Sequence, residues 1–197
     1  MQGTFVVIDG PDGAGTSTHA AALVKGLTTQ GKKALLTAEP TNGPVGKLLR
    51  TLLKAKKPLD HHMLQLLFCA DRAQHIADVI RPALQQGRIV VSDRYVPSTL
   101  AYGLAGGLDR GWLKLITTEF RRPDLTIFLL PPFATSFERV EARKGRDAFE
   151  QRQFQQQVHA NYKRLSEEDI SILRIDSSAP RQQIADQIML AVLERLP

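Results

Sequence analysis

Five apolar runs of strand length recur along the chain, at 5–9, 34–37, 88–92, 125–130 and 170–175. Within each, apolarity is continuous and does not alternate. Between them, patterns of helical period cover 19–30, 61–86, 113–120, 134–144, 150–166 and 180–196. A strand that is apolar on both sides is covered on both sides, so strands alternating with helices predict a parallel sheet with helices on each face. In such sheets ligands bind at the carboxyl ends of the strands. The residues just after each apolar run are therefore the informative ones.

The first run ends in Gly10-Pro11-Asp12-Gly13-Ala14-Gly15-Thr16-Ser17-Thr18, and an Ala/Leu-rich helical pattern comes next. The phosphate-loop template G-x-x-x-x-G-K-[ST] is met at Gly10, Gly15 and Ser17, with Thr16 in the place of the lysine. Glycines let successive N–H groups curl around phosphate oxygens, and the helix start adds a positive end. The expected nucleotide-phosphate segment comprises Gly10, Asp12, Gly13, Ala14, Gly15, Thr16, Ser17 and Thr18. The missing lysine removes the cation that normally follows the transferred phosphoryl group. Nucleotide binding is expected, and the source of that charge is left open.

The second run leads into Glu39-Pro40-Thr41 and the third into Asp93-Arg94-Tyr95. Carboxylates at strand ends beside a phosphate loop typically orient Mg²⁺, so Ser17, Glu39 and Asp93 are the expected metal-facing groups. Arg94 has the fork geometry to hold a second phosphate.

Composition narrows the setting. The 197 residues, 43% hydrophobic and 23% charged, suit one domain over 1–197. The net charge of +6 is dispersed, which suits small phosphate-bearing ligands as well as nucleic acid. No run reaches membrane-spanning length and no signal-like segment is evident, so no membrane partner is expected. The compact length and the lack of an obvious second domain argue against a nucleic-acid partner. The lone cysteine, Cys69, rules out a disulfide within the chain and suits a reducing, cytoplasmic setting.

Taken together, the Asp12-bearing loop, Glu39-Pro40, the 67–72 segment LFCADR, Asp93-Arg94-Tyr95, the 98–102 segment STLAY, Arg122-Pro123-Asp124-Leu125 and the 175–178 segment IDSS resemble the thymidylate kinase family of P-loop nucleoside monophosphate kinases. The resemblance implies a three-layer α/β P-loop fold with a five-stranded parallel sheet and a mobile lid at about 138–152. It implies the reaction ATP + dTMP → ADP + dTDP with Mg²⁺, in a cytoplasmic homodimer. Asp12 matches the carboxylate that meets the 3′-hydroxyl of dTMP, Phe68 the aromatic that stacks on thymine, and Arg72 the arginine that bonds the base. Asp93 matches the metal-orienting acid and Arg94 the arginine on the acceptor phosphate. Ser98 and Tyr102 match groups lining the acceptor site. In the lid stretch, with Arg139, Arg143, Lys144 and Arg146, either Arg143 or Arg146 is the expected catalytic cation.

Three departures bear on this. Thr16 for lysine leaves two readings, a working kinase served by a lid cation or a nucleotide-binding regulatory protein with weak phosphotransfer. Ala38 stands where relatives carry arginine, and Gly103 where they carry glutamine. Both weaken the expectation of strict thymine choice and keep another pyrimidine monophosphate, such as dUMP, as an alternative acceptor.

Overall fold

A computed structural model describes residues 3–55, 59–144 and 149–196; for 143, 144 and 149–151 it describes only the helical backbone. Five parallel strands form one sheet in the order β2-β3-β1-β4-β5: β1 (Phe5–Asp9), β2 (Ala34–Ala38), β3 (Ile89–Asp93), β4 (Leu125–Leu129) and β5 (Ile172–Ile175). All pairings are parallel, and β1 lies at the centre between β3 and β4. Every residue of β1 is buried, as its continuous apolarity requires.

Alternate side chains of β1 point to opposite faces and nucleate two different cores. Val6 and Ile8 pack with Ala20, Leu23 and Leu27 of α1 (Thr16–Thr29) and with Ile184, Ile188 and Val192 of α9 (Arg181–Leu193). Phe5 and Val7 face Ile76, Ile80, Ala83 and Leu84 on the opposite side. A third cluster joins α5 (Val96–Ala105) to α8 (Phe149–Glu168) over β4, through Ala101, Phe128, Val158, Tyr162 and Leu165. The result is three layers, with helices on both faces of a five-stranded parallel sheet.

The remaining helices are α2 (Pro44–Lys54), α3 (His61–His75), α4 (Arg81–Gln85), α6 (Arg110–Thr117) and α7 (Phe133–Lys144). Aspartate carboxylates start α3 and α6, where Asp60 accepts from Met63 N–H and Asp109 from Trp112 N–H, both at 2.8 Å. The expected helix over 61–86 is continuous but carries a π-helical turn, Ile76–Ile80, just before Pro82, whose missing N–H interrupts the regular ladder. The last strand starts at Ile172 and not at 170. Asp169 accepts from the N–H and hydroxyl of Ser171, which closes a turn and leaves Ile170 98% exposed.

Candidate active site

The carboxyl end of β1 opens into the glycine-rich loop. Gly13 and Gly15 adopt positive φ, 81° and 91°, a backbone conformation that side chains resist. At Gly13 a Cβ would also lie 2.1 Å from the Ser136 carbonyl oxygen at the start of α7, so only glycine fits. The loop walls a cavity of about 280 Å³ lined by Asp12, Gly13, Gly15, Thr16, Ser17 and Thr18 with Arg94 and Val140. Among the described residues lining it, Arg94 is the one cation. Thr16 is buried at the lysine position and adds no charge there.

Register carries the acid of β3 to this loop. Asp93 pairs with Ile8 of β1, which sets it level with the start of the phosphate loop. The Ser17 hydroxyl donates to Asp93 Oδ2, while Oδ1 is buried with no hydrogen-bond partner. An orphaned carboxylate oxygen beside a serine hydroxyl is a hard-oxygen pair of the kind Mg²⁺ takes with its remaining positions on water and phosphate. Ser17 and Asp93 therefore fit the expected metal.

Asp9 organises the groups that stand behind them. It is fully buried, and its Oδ1 accepts from Gly10 N–H (2.9 Å), the Ser98 hydroxyl (2.8 Å) and the Tyr162 hydroxyl (2.7 Å). Its Oδ2 accepts from the N–H groups of Tyr95 (3.0 Å) and Ser98 (3.2 Å). The first turn of α5 thus receives its cap from β1, about ninety residues upstream. Burial pushes the Asp9 carboxyl above the usual range, against the nearby Arg94 charge and these donors. Burial likewise raises the hydroxyls of Tyr102 and Tyr162, so both act as neutral donors at neutral pH.

Arg94 occupies the hinge between two cavities. Its backbone is left-handed, with φ 73°, and its carbonyl accepts from the Ser92 hydroxyl at 2.8 Å. Its side chain pairs with Asp12 at 2.7 Å, donates to Ser98 Oγ at 3.2 Å and lies 5.5 Å from the centre of the Tyr102 ring. Asp12 in turn accepts from Gln155 of α8 at 3.1 Å.

On the other side of Arg94 lies a cavity of about 430 Å³. Phe68, Gln65 and Arg72 of α3 contribute to its wall, with Tyr102 of α5 and Phe154 of α8. Arg72 is 1% exposed and rigidly held. Its Nε and Nη2 meet Glu39 Oε2 at 2.9 and 2.8 Å, Nη1 donates to Thr99 Oγ1 at 3.1 Å, and the guanidinium stacks near Tyr95 and Phe120. His75 completes the buried chain, bridging Glu39 Oε1 (3.1 Å) and Thr37 Oγ1 (2.6 Å).

The geometry groups the expected residues in two sets. Gly13, Gly15, Thr16, Ser17 and Thr18 line the loop cavity, while Phe68, Arg72, Ser98 and Tyr102 line the second; Asp12 and Arg94 line both. Gly10 begins the loop, and buried Ala14 closes its turn by donating to the Pro11 carbonyl at 3.1 Å. Glu39, expected to face the metal, is instead spent on Arg72 and His75, because a buried guanidinium needs an opposite charge at hydrogen-bond distance. Arg146 lies outside the described residues, as does the side chain of Arg143. Arg139 ties α7 to the loop through Gly13 O and to Ser177 O, both at 3.2 Å. A side chain at Gly103 would run into Leu113 of α6, 2.6 Å from its Cβ position, so that departure belongs to helix packing. Sequence reasoning missed Asp9, His75, Gln155 and Tyr162. For Asp9 a signal existed, a lone acid ending an apolar strand.

Comparison with known proteins finds relatives along nearly the whole chain. Residues 8–188 match the family described as thymidylate kinase. The chain is 37% identical over 202 residues to a probable thymidylate kinase of Pyrococcus abyssi, covering 100% of this chain and 98% of the relative. It is 40% identical over 198 residues to a thymidylate kinase of Thermomicrobium roseum, covering 96% and 94%. A probable thymidylate kinase of Thermococcus gammatolerans is 41% identical over 174 residues, covering 84% of each chain.

Proposed function

The chain belongs to the thymidylate kinase family, and on that premise we propose that it transfers the terminal phosphoryl group of ATP to dTMP, giving dTDP, across the junction of its two cavities. The observation that carries this is Arg94, a single cation lining both the phosphate loop and the base-sized cavity. An arginine at that junction can hold the acceptor phosphate in line with the donor phosphate. Positioning of that kind supplies much of phosphoryl-transfer catalysis.

The N–H groups of Gly13, Gly15, Thr16, Ser17 and Thr18 receive the ATP phosphates. Ser17 and Asp93 would hold Mg²⁺, which would supply neutralisation of charge on the phosphate oxygens. Asp12 meets the 3′-hydroxyl of the acceptor while fixing Arg94. Phe68 stacks on the base and Arg72 donates to a ring carbonyl. Ser98 steadies Arg94, and Tyr102 crowds the ribose 2′ position, favouring a deoxynucleotide. The protein works in the cytoplasm as a homodimer. No described helix is long and apolar enough to cross a membrane.

Thr16 requires the charge of the missing lysine to come from elsewhere. Arg143 or Arg146, in the lid at about 138–152, supplies it on closure, stabilising charge that develops on the transferred group. The same Thr16 favours one second reading, a nucleotide-binding protein with weak turnover. A coupled assay with ATP, Mg²⁺ and a panel of monophosphates separates the two. Turnover of dTMP well above AMP, GMP and CMP is the expected result, with dUMP marking the breadth of pyrimidine choice. Nucleotide binding without product would select the regulatory reading.

A further inference from the structure

Gln65 stands three residues before Phe68 and seven before Arg72, spacings that place the three side chains on one face of α3. All three line the 430 Å³ cavity. Gln65 is 3% exposed, and its carbonyl oxygen Oε1 is buried with no hydrogen-bond partner. A buried acceptor left unpaired is costly to the fold, and a well-packed core position would favour an apolar side chain there. A polar group kept at that expense on the wall of a binding cavity points to a ligand donor.

We propose that Gln65 determines base specificity by accepting a hydrogen bond from the ring N–H of the acceptor base. This rests on the reading of the cavity as the dTMP site. The imide edge of thymine presents an N–H between two carbonyls, so it needs an acceptor flanked by donors. Arg72 carries donors alone and can serve a carbonyl but never the N–H. Among the other side-chain oxygens on the wall, Glu39 is paired with Arg72 and His75, Thr99 Oγ1 accepts from Arg72, and Ser98 Oγ and the Tyr102 hydroxyl accept from Arg94. Asp12 is held at Arg94 and Gln155. Gln65 has the unpartnered oxygen. The terminal torsion of a carboxamide is soft, so the oxygen can turn to a donor at the cavity wall. Cytosine reverses the pattern, with a ring nitrogen that accepts and an exocyclic amine that donates. The carboxamide can turn its N–H toward that nitrogen, but an Arg72 donor would then face the exocyclic amine, so rejection of cytosine falls on Arg72 while Gln65 serves the imide N–H.

The test compares dTMP with its N3-methyl analogue, which lacks the N–H, in the wild type, Gln65→Leu and Gln65→Glu. Wild-type protein should prefer dTMP strongly. Gln65→Leu should raise the KM for dTMP about tenfold with kcat within about twofold, and the dTMP preference should shrink by a similar factor. Gln65→Glu keeps an acceptor oxygen and should retain most of that preference, an outcome that packing alone would not produce. If the wild type uses dTMP and its N3-methyl analogue equally well, the proposal is overturned without reference to any variant. If the wild type turns over dTMP and Gln65→Leu, checked for folding by its melting temperature, keeps the same KM, the role of Gln65 falls while the kinase reading stands. If the wild type neither binds nor phosphorylates dTMP, the kinase reading fails and this role goes with it.

Discussion

The two cavities that meet at Arg94 are built in opposite ways. The acceptor side is made of side chains, locked by buried hydrogen bonds from Thr37 through His75, Glu39 and Arg72 to Thr99. The donor side is made of backbone, a glycine loop whose N–H groups need no side-chain chemistry but carry no full charge. On the proposed reading the first discriminates between bases through groups already fixed in place, and the second holds a triphosphate tail and depends on cations brought to it. On that reading the contrast would let Thr16 stand in place of a lysine. A backbone cradle tolerates loss of one side chain if another cation reaches the same oxygens, whereas the acceptor network cannot lose a member without leaving a buried charge or donor unpaired.

Removing the element the two cavities share should do most harm. Arg94→Ala removes the one cation the two cavities share, and kcat/KM for dTMP should fall about a thousandfold in steady-state assays, consistent with loss of a preorganised charge. A tenfold or smaller loss would break the view of Arg94 as the junction. Next in size is the donor side alone. Arg143→Ala or Arg146→Ala should lower kcat on the order of a hundredfold while ATP affinity, measured by titration calorimetry, changes little. Thr16→Lys should partly restore the damaged lid variant and help the wild type little. A large gain from Thr16→Lys in the wild type, with no loss from either lid variant, would mean that nothing replaces the lysine.

The smallest effect belongs to one wall of the acceptor side. Phe68→Ala removes a stacking face worth about 1 kcal/mol and should raise the KM for dTMP several-fold with ATP kinetics unchanged. Since Phe68 is only half-buried, thermal stability should change less than for a core phenylalanine. An altered KM for ATP as well would show that the two sides are not separable.

Much of this was legible in the chain. Continuous apolarity marked β1 residue for residue, and the glycine-rich segment after it marked the loop, because both depend on interactions a few residues long. Two helices escaped for physical reasons. Helix α2 begins in the turn-like segment Asn42-Gly43-Pro44, and its Gly46 is there because a Cβ would lie 2.1 Å from the Thr41 carbonyl oxygen. Helix α5 has no side-chain cap of its own, since Asp9 provides it from another strand.

The site divides along the same line. Residue order alone determined that a tight glycine loop runs through Gly13 and Gly15 and that Asp93 ends a strand with Arg94 directly after it, since loop conformation and strand ends are local matters. Tertiary structure decided what each charged group touches. Glu39 lies 33 residues from Arg72, and Asp9 lies 153 from Tyr162. The parallel register and the low-dielectric space between layers decide which buried carboxylate neutralises which cation, and which is left with an unpartnered oxygen. No spacing in the chain encodes that, because the energy of a buried polar group depends on the neighbours that folding brings to it.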